Sequence, residues 1–221
     1  MSSDLSYEIK RATERPPLDG NWEAPAWQQA NELTVGQFHP AGSDHRPEVH
    51  ARTLYDDNAL YVGFRVADRY VQVINTEYQS SVCRDSCAEF FVQPAGAPGY
   101  FNFEINGGGT MLLYYVTDPA DQSRTQVTAE DAATMDIFHS LPDTVEEEIT
   151  DPITWILQYR IPFALLENYA TPARPAPGDV WKGNYYKCAD RTSHPHWGSW
   201  APVGEPLNFH KPEKFAPLIF A

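Results

Sequence analysis

The stretch that most limits what this chain can become runs from Asp85 to Val116, D-S-C-A-E-F-F-V-Q-P-A-G-A-P-G-Y-F-N-F-E-I-N-G-G-G-T-M-L-L-Y-Y-V. It reads as three successive strands: Cys87 to Gln93, Tyr100 to Asn106, and Thr110 to Val116. The first ends at Pro94 in a Gly/Pro-rich turn, and Gly107 to Gly109 supply a turn with free choice of backbone sign. In the middle strand Phe101, Phe103 and Ile105 point one way while Tyr100, Asn102, Glu104 and Asn106 point the other, because successive strand side chains alternate. The three large apolar side chains need a core. Amide, carboxylate and phenol groups on the opposite face mark either a solvated surface or the floor of a polar site.

Strand signals recur along the rest of the chain. Val49 to Tyr55, a D-D-N turn at Asp56 to Asn58, and Leu60 to Ala67 make a hairpin. Tyr70 to Ile74 is a further strand or an excursion. Thr117 to Ala133 is a polar connection with D-P-A-D and T-A-E-D turn or short-helix signals. Val145 to Thr150 and Thr154 to Ile161 read as a strand pair, and Val180 to Ala189 as another strand. One short helix, Phe163 to Tyr169, is entered through Pro162 at its first position. With 19 prolines in turns and loops, this pattern predicts an all-β fold: an antiparallel β-sandwich, jelly-roll-like, with one short helix and long loops. No linker divides it, so residues 18–221 read as one domain behind a polar N-terminal arm, residues 1–17, that ends in Pro16-Pro17. Trp22 and Trp27 are expected to pack that arm onto the body.

Sixteen basic against 30 acidic residues give a net charge of −14, which repels phosphate backbones and anionic lipid, so no nucleic-acid or membrane partner is expected. No apolar run follows a basic start, and no stretch is long and apolar enough to span a bilayer. The chain is therefore expected to be cytoplasmic if its N-terminus is native. Its oligomeric state is not legible. Three cysteines, Cys83, Cys87 and Cys188, are odd in number and lean toward a reducing compartment. Cys87 and Cys188 could pair if their strands are neighbours, although buried free thiols are the expected state. Cys83 and Cys87 cannot pair in an extended segment, where four residues span roughly 13 Å and a bridge needs about 7 Å.

Reactive side chains concentrate between Tyr186 and Trp200. His194 and His196 flank a proline and project to one side in an extended segment, which is compatible with a metal, but the spacing matches no standard zinc pattern and no metal site is expected. Hydrolysis would need paired carboxylates, for which Asp85, Glu89 and Glu104 are candidates. The sequence has no serine-nucleophile motif and no phosphate loop followed by a helix. Sugar binding asks for aromatic rings to stack on pyranose faces and polar groups to bond hydroxyls. Tyr100, Trp197, Trp200 and Phe209, with Asn102, Glu104, Asn106, Asn184 and Lys187, offer those types.

Several pieces together resemble a known family: L-D-G-N-W at Leu18, L-Y-D-D-N-A-L-Y-V-G-F-R-V-A-D at Leu54, D-S-C-A-E-F-F-V, G-Y-F-N-F-E-I-N, the run from Trp155 to Pro162, W-K-G-N at Trp181 and K-F-A-P-L-I-F at Lys214. In order and spacing they resemble the family 9 carbohydrate-binding modules from about Leu18 to Phe220. That resemblance implies a β-sandwich similar to DOMON domains and non-catalytic binding of sugar-chain ends between two stacked tryptophans, beside a glutamate and an arginine. By position the glutamate is Glu89 and the second tryptophan falls near Phe209. The first tryptophan falls where this chain has Val82-Cys83-Arg84, and the arginine falls on Glu104. The expected site is thus Glu89, Tyr100, Asn102, Glu104, Asn106, Lys187, Trp197, Trp200 and Phe209. Its ligand is a carbohydrate, though one stacking ring is missing and one charge reversed relative to a module for cellulose-like ends. The resemblance also implies bound calcium, with no ligands assigned. Two alternatives are a glycan-processing enzyme (a glycoside hydrolase) or an accessory domain of one, and a haem-binding DOMON-like module using axial His and Met from among Met1, Met111 and Met135.

Overall fold

A computed structural model describes residues 5–118, 123–171 and 174–221. In chain order the strands are β1 (Tyr7–Arg11), β2 (Glu32–Thr34), β3 (Gln37–Phe38), β4 (Glu48–Tyr55), β5 (Ala59–Asp68), β6 (Val71–Val73), β7 (Cys87–Gln93) and β8 (Tyr100–Asn106). They continue as β9 (Met111–Asp118), β10 (Ser123–Gln126), β11 (Asp136–His139), β12 (Val145–Ile149), β13 (Ile153–Pro162), β14 (Val180–Cys188), β15 (Trp197–Ser199) and β16 (Ala216–Phe220). Three short helices accompany them: α1 (Pro25–Gln28), α2 (Ala129–Ala132) and α3 (Phe163–Glu167). None is long and apolar enough to cross a membrane.

The main sheet runs β10-β9-β8-β7-β14-β16-β1-β4-β5-β13-β11 and curls into two layers, the sandwich the alternation predicted. The seam is β1, which pairs in parallel with β16 through Tyr7, Glu8 and Ile9 and then with β4 through Lys10 and Arg11. Residues 1–17, read from sequence as an arm, therefore contain a structural strand. Its signal is weak because only Tyr7 and Ile9 of its five residues are fully buried, with charged residues between and after them. Trp22 and Trp27 are buried as expected, and Trp27 Nε1 donates to the Pro17 carbonyl at 2.8 Å.

Between the layers, Phe90, Phe101, Phe103 and Tyr185 meet Val62, Phe64, Trp155 and Leu157 in one continuous core. Tyr185 crosses the gap, its ring 6.0 Å from Phe64 and its hydroxyl 2.7 Å from Thr53 Oγ1. Phe101, Phe103 and Ile105 thus face the core as the alternation required.

The structure changes several local readings. The segments at Val145 and Thr154 do not pair with each other: β12 pairs β6 in a separate two-stranded sheet, and β13 lies between β5 and β11. Pro162 ends β13 and caps α3 rather than occupying its first position. The T-A-E-D signal does open a helix, α2, with Thr128 Oγ1 accepting from Asp131 N. The D-P-A-D signal falls mostly on residues 119–122, outside the described residues, as do residues 172–173 of the proline-rich loop.

Of the three turn glycines only Gly109 has a left-handed backbone, φ +84°. Gly108 is required by close approach, since a Cβ there would lie 2.5 Å from the Asp143 carbonyl oxygen, whereas one on Gly107 would meet the movable end of Leu141 at 2.7 Å. A Gly108→Ala substitution, pressing on backbone, is expected to destabilise the fold by about 1–3 kcal/mol. Urea unfolding with an unchanged slope against denaturant would register it, and an unchanged midpoint would refute it.

Candidate functional site

The polar face of β8 is not solvated: Tyr100, Asn102, Glu104 and Asn106 are all buried. The chain after β15 crosses over this face. Phe209 lies flat on Tyr186, ring centroids 4.1 Å apart and planes at 14°, and the Tyr186 hydroxyl donates to the Phe209 carbonyl at 3.1 Å. Tyr100 Oη bonds His210 Nδ1 at 2.8 Å, and Lys211 Nζ donates to the carbonyls of Val203 and Pro206 at 3.1 and 2.6 Å. These contacts hold the crossing segment above the sheet and leave a cleft beside it.

That cleft, about 180 Å³, is lined by Cys83, Glu89, Glu104, Cys188, Asp190, Trp197, Leu207, Phe209 and His210. Its floor comes from three adjacent strands. Glu89 on β7 is the direct cross-strand partner of Glu104 on β8 and of Tyr186 on β14, so the two carboxyls stand side by side. One wall follows β14, where the Asp190 amide donates to the Cys83 carbonyl at 3.0 Å and Asp190 Oδ1 accepts from Trp197 Nε1 at 2.7 Å. Trp197 itself opens β15, directly across from Cys188.

Little in the protein compensates the acids. Glu89 Oε1 accepts only from Cys188 Sγ, at 3.0 Å, and Glu104 Oε1 from Asn102 Nδ2, at 2.7 Å. Burial, reinforced by the facing Glu104, pushes the Glu89 carboxyl far above the ordinary range. Burial likewise raises Glu104 to about 7 against the opposing Asn102 bond, and raises Asp190. The thiols of Cys83 and Cys188 are also driven up by burial, and His210 is pushed down to about 4, so the lining holds no resident cation at neutral pH.

Not all the residues expected here meet. Glu89, Glu104, Trp197 and Phe209 line the cleft, while Asn102 and Tyr100 stand just behind it, bonded to Glu104 and His210. Lys187 does not face the cleft. As the cross-strand partner of Ala88 it points to the core side of β14, where its ammonium meets Asp68 and His196. Trp200 packs edge-on against Tyr7 and Tyr185 in the main core. Asn106 and Asp85 form a structural latch: Asp85 accepts from the Asn75 backbone and side chain and from Asn106 Nδ2 at 2.8–2.9 Å. Asn184 bonds the backbone of Ala201. The alternation of β14 gives the physical reason: Tyr186 and Cys188 face the cleft, so Lys187 cannot. Sequence reading missed Asp190, Leu207 and His210 as lining groups. Asp190 was one of 30 acids, singled out only by its backbone tie to Cys83 and its bond from Trp197 Nε1.

Cys87 and Cys188 lie directly opposite each other and are free thiols. Among the described residues two groups have metal-ligating geometry, Cys87 with Glu89 and Cys188, and His45 with Asp68 and His196. Each offers a single carboxylate among sulfur or nitrogen donors, so neither fits calcium, which takes six to eight oxygens. In the histidine group Lys187 Nζ already sits 2.8 Å from His196 Nε2 and 3.3 Å from Asp68 Oδ2, where a metal ion would have to lie. Met111 and Met135 are in the main core, away from the cleft.

Comparison with known proteins agrees with this architecture. The chain is similar in structure to a candidate carbohydrate-binding protein from Bacteroides uniformis ATCC 8492, with 25% identity, a TM-score of 0.85, and coverage of 99% of this chain and 100% of the other. It shares its fold with a family 9 carbohydrate-binding module from Caldicellulosiruptor kristjanssonii solved with cellotriose, at 14% identity and TM-score 0.65 over 98% and 93% of the two chains. A family 9 module from the same organism solved with glucose gives 14% identity and TM-score 0.61 over 97% and 95%. No curated protein matches in sequence. The sequence profile of carbohydrate-binding family 9 spans residues 25–220. With that span covering nearly all of both layers and every residue of the cleft, the chain belongs to carbohydrate-binding family 9, a family of non-catalytic binding modules.

Proposed function

We propose that the cleft beside Glu104 is the carbohydrate site of this module and that it holds a single sugar ring without transforming it. The observation that carries the reading is the pairing, in one concave place, of two half-exposed rings, Trp197 and Phe209, with three carboxyl groups able to bond hydroxyls. A cleft of about 180 Å³ has the volume of roughly six waters at about 30 Å³ each, which suits one ring rather than a chain lying along a groove. The neighbours solved with cellotriose and glucose support the ligand class. Relative to the site implied by resemblance, Phe209 stands in for one tryptophan. The second ring comes from Trp197 across from Cys188 rather than from residues 82–84, where Cys83 lines the cleft instead.

Removing the indole should show this directly. Trp197→Ala is expected to weaken binding of glucose or a cello-oligosaccharide at least thirtyfold, about 2 kcal/mol, with the recovered sugar unchanged. Titration calorimetry on wild type and variant decides it, and equal affinities would place the ligand elsewhere.

A further inference from the structure

We infer that the cleft selects a positively charged sugar, an amino sugar whose ammonium group is received by Glu89, Glu104 and Asp190; this rests on the reading of the cleft as a sugar site. Three carboxyl groups from three segments converge there, and among the described residues none of them lies in a salt bridge. Glu89 and Glu104 are 2% and 6% exposed, and in each the second carboxyl oxygen has no hydrogen-bond partner among the described residues. Ionising such a buried, half-satisfied carboxyl pair is costly unless something positive reaches it.

The opposite face of the same strand shows how this chain settles such a charge from within. There Asp68, equally buried, receives the ammonium of Lys187 at 3.3 Å and His45 Nε2 at 2.7 Å. In the cleft no matching ammonium comes from the described residues. The Arg124 guanidinium of β10, felt electrostatically by Glu104, lies over the Tyr114 ring at 4.6 Å and forms no ion pair with that carboxyl. Arg84 is exposed on the turn that carries Cys83, and Lys187, though felt electrostatically by Glu89 and Asp190, is committed to the far face of β14. His210, Cys83 and Cys188 complete the surroundings and are uncharged at neutral pH. Two aromatic rings add attraction for a cation that a neutral hydroxyl lacks.

An arriving ammonium also ionises the carboxyl pair, because an opposite charge within bonding distance favours the charged form. Binding near pH 7 therefore releases protons to the buffer, since burial holds Glu104 at about 7 and Glu89 well above its ordinary range. Glucose binding carries no such release.

The test is titration calorimetry of the full chain with glucosamine, N-acetylglucosamine and glucose, at neutral pH, low salt and with EDTA present, in two buffers of different ionisation enthalpy. Glucosamine is expected to bind about tenfold more tightly than the two neutral sugars, with a buffer-dependent heat that only glucosamine shows. Glu104→Gln should abolish the preference. Asp190→Asn, on a half-exposed residue whose oxygen can still accept from Trp197, should reduce it and serves if the first variant does not fold. Equal affinity for glucose and glucosamine would overturn the inference and leave the sugar site standing. Failure of all three sugars to bind would overturn both.

Discussion

Replacing Lys187 with methionine is expected to lower the unfolding free energy by about 3–5 kcal/mol, because removing one partner of a buried pair strands the other. Lys187 is fully buried, and its ammonium donates to the Cys188 carbonyl at 3.0 Å, contacts His196 Nε2 at 2.8 Å and pairs with Asp68 at 3.3 Å. Burial alone would raise the Asp68 carboxyl, yet Lys187 first and His45 next hold it well below its ordinary value. A carboxylate depressed in the folded state stabilises the fold above its unfolded pKa of about 3.9, and that contribution is lost as pH falls through the folded value. Lys187→Met removes the depression, so the loss should be large at neutral pH and shrink in acid. Adding Asp68→Asn should restore part of the stability, since both charges are then gone. Chemical denaturation of the single and double variants at pH 7 and pH 4 checks this. A loss of less than about 1 kcal/mol for the single variant would mean the pair behaves as if it were at the surface.

The second large effect runs the other way in pH. Above about pH 6.5 the wild-type protein is expected to lose stability as pH rises, at up to 1.36 kcal/mol per pH unit for each carboxyl still titrating. Glu89 and Glu104 have folded pKa values raised by burial, Glu104 to about 7. The folded state therefore holds protons that the unfolded chain has already released, and stability falls as pH rises through that window. Below about pH 6.5 two histidines oppose this trend. His196 and His210 are pushed down by burial to about 3 and about 4, so the unfolded chain binds the extra protons and acid destabilises. Between the unfolded carboxylate value of about 4.3 and about pH 6.5 the two trends offset each other, so these groups predict a plateau in mild acid and a descending limb above it. Glu104→Gln should flatten that limb by removing one titrating group and the facing charge that raises the other. Melting temperatures across the pH range measure it, and a wild-type curve flat from pH 6.5 to 8.5 would show that both carboxyls are solvated.

The alternation of Tyr100 to Asn106 was enough to place the core face and to group the polar side chains opposite it, because a seven-residue strand leaves no freedom over which side chains share a face; that the polar face is covered rather than solvated depends on the remote segment around Phe209 and His210. Glu104 was legible as part of that polar face, whereas Glu89 entered the expected site through its place in the family resemblance. The sequence could not show which polar residues would be used up by the scaffold. Asn106 serves a turn and Asn184 a loop, and those roles depend on partners such as Asn75 and Ala201, which are remote in sequence. Lys187 was misplaced because its residue type suited a sugar while its parity along β14 was not weighed against that of Cys188. Trp197 was found and Asp190 missed, although they are bonded to each other. A tryptophan is rare enough to be noticed alone, whereas an aspartate acquires meaning only from its neighbours.

The seam strand has a mechanical consequence. β1 and β16 run parallel as direct neighbours, with Tyr7 beside Leu218 and Ile9 beside Phe220, and the bonds continue from Arg11 N to the Ala221 carbonyl and from Ala221 N to the Ile9 carbonyl. Force pulling the start of β1 away from the end of β16 acts along both strands in opposite directions. The bonds between them are then loaded together in shear rather than peeled one after another. A pull applied to β1 and β16 at these two ends would open the joint only when several hydrogen bonds fail at once, and forced unfolding is set by that barrier rather than by equilibrium stability.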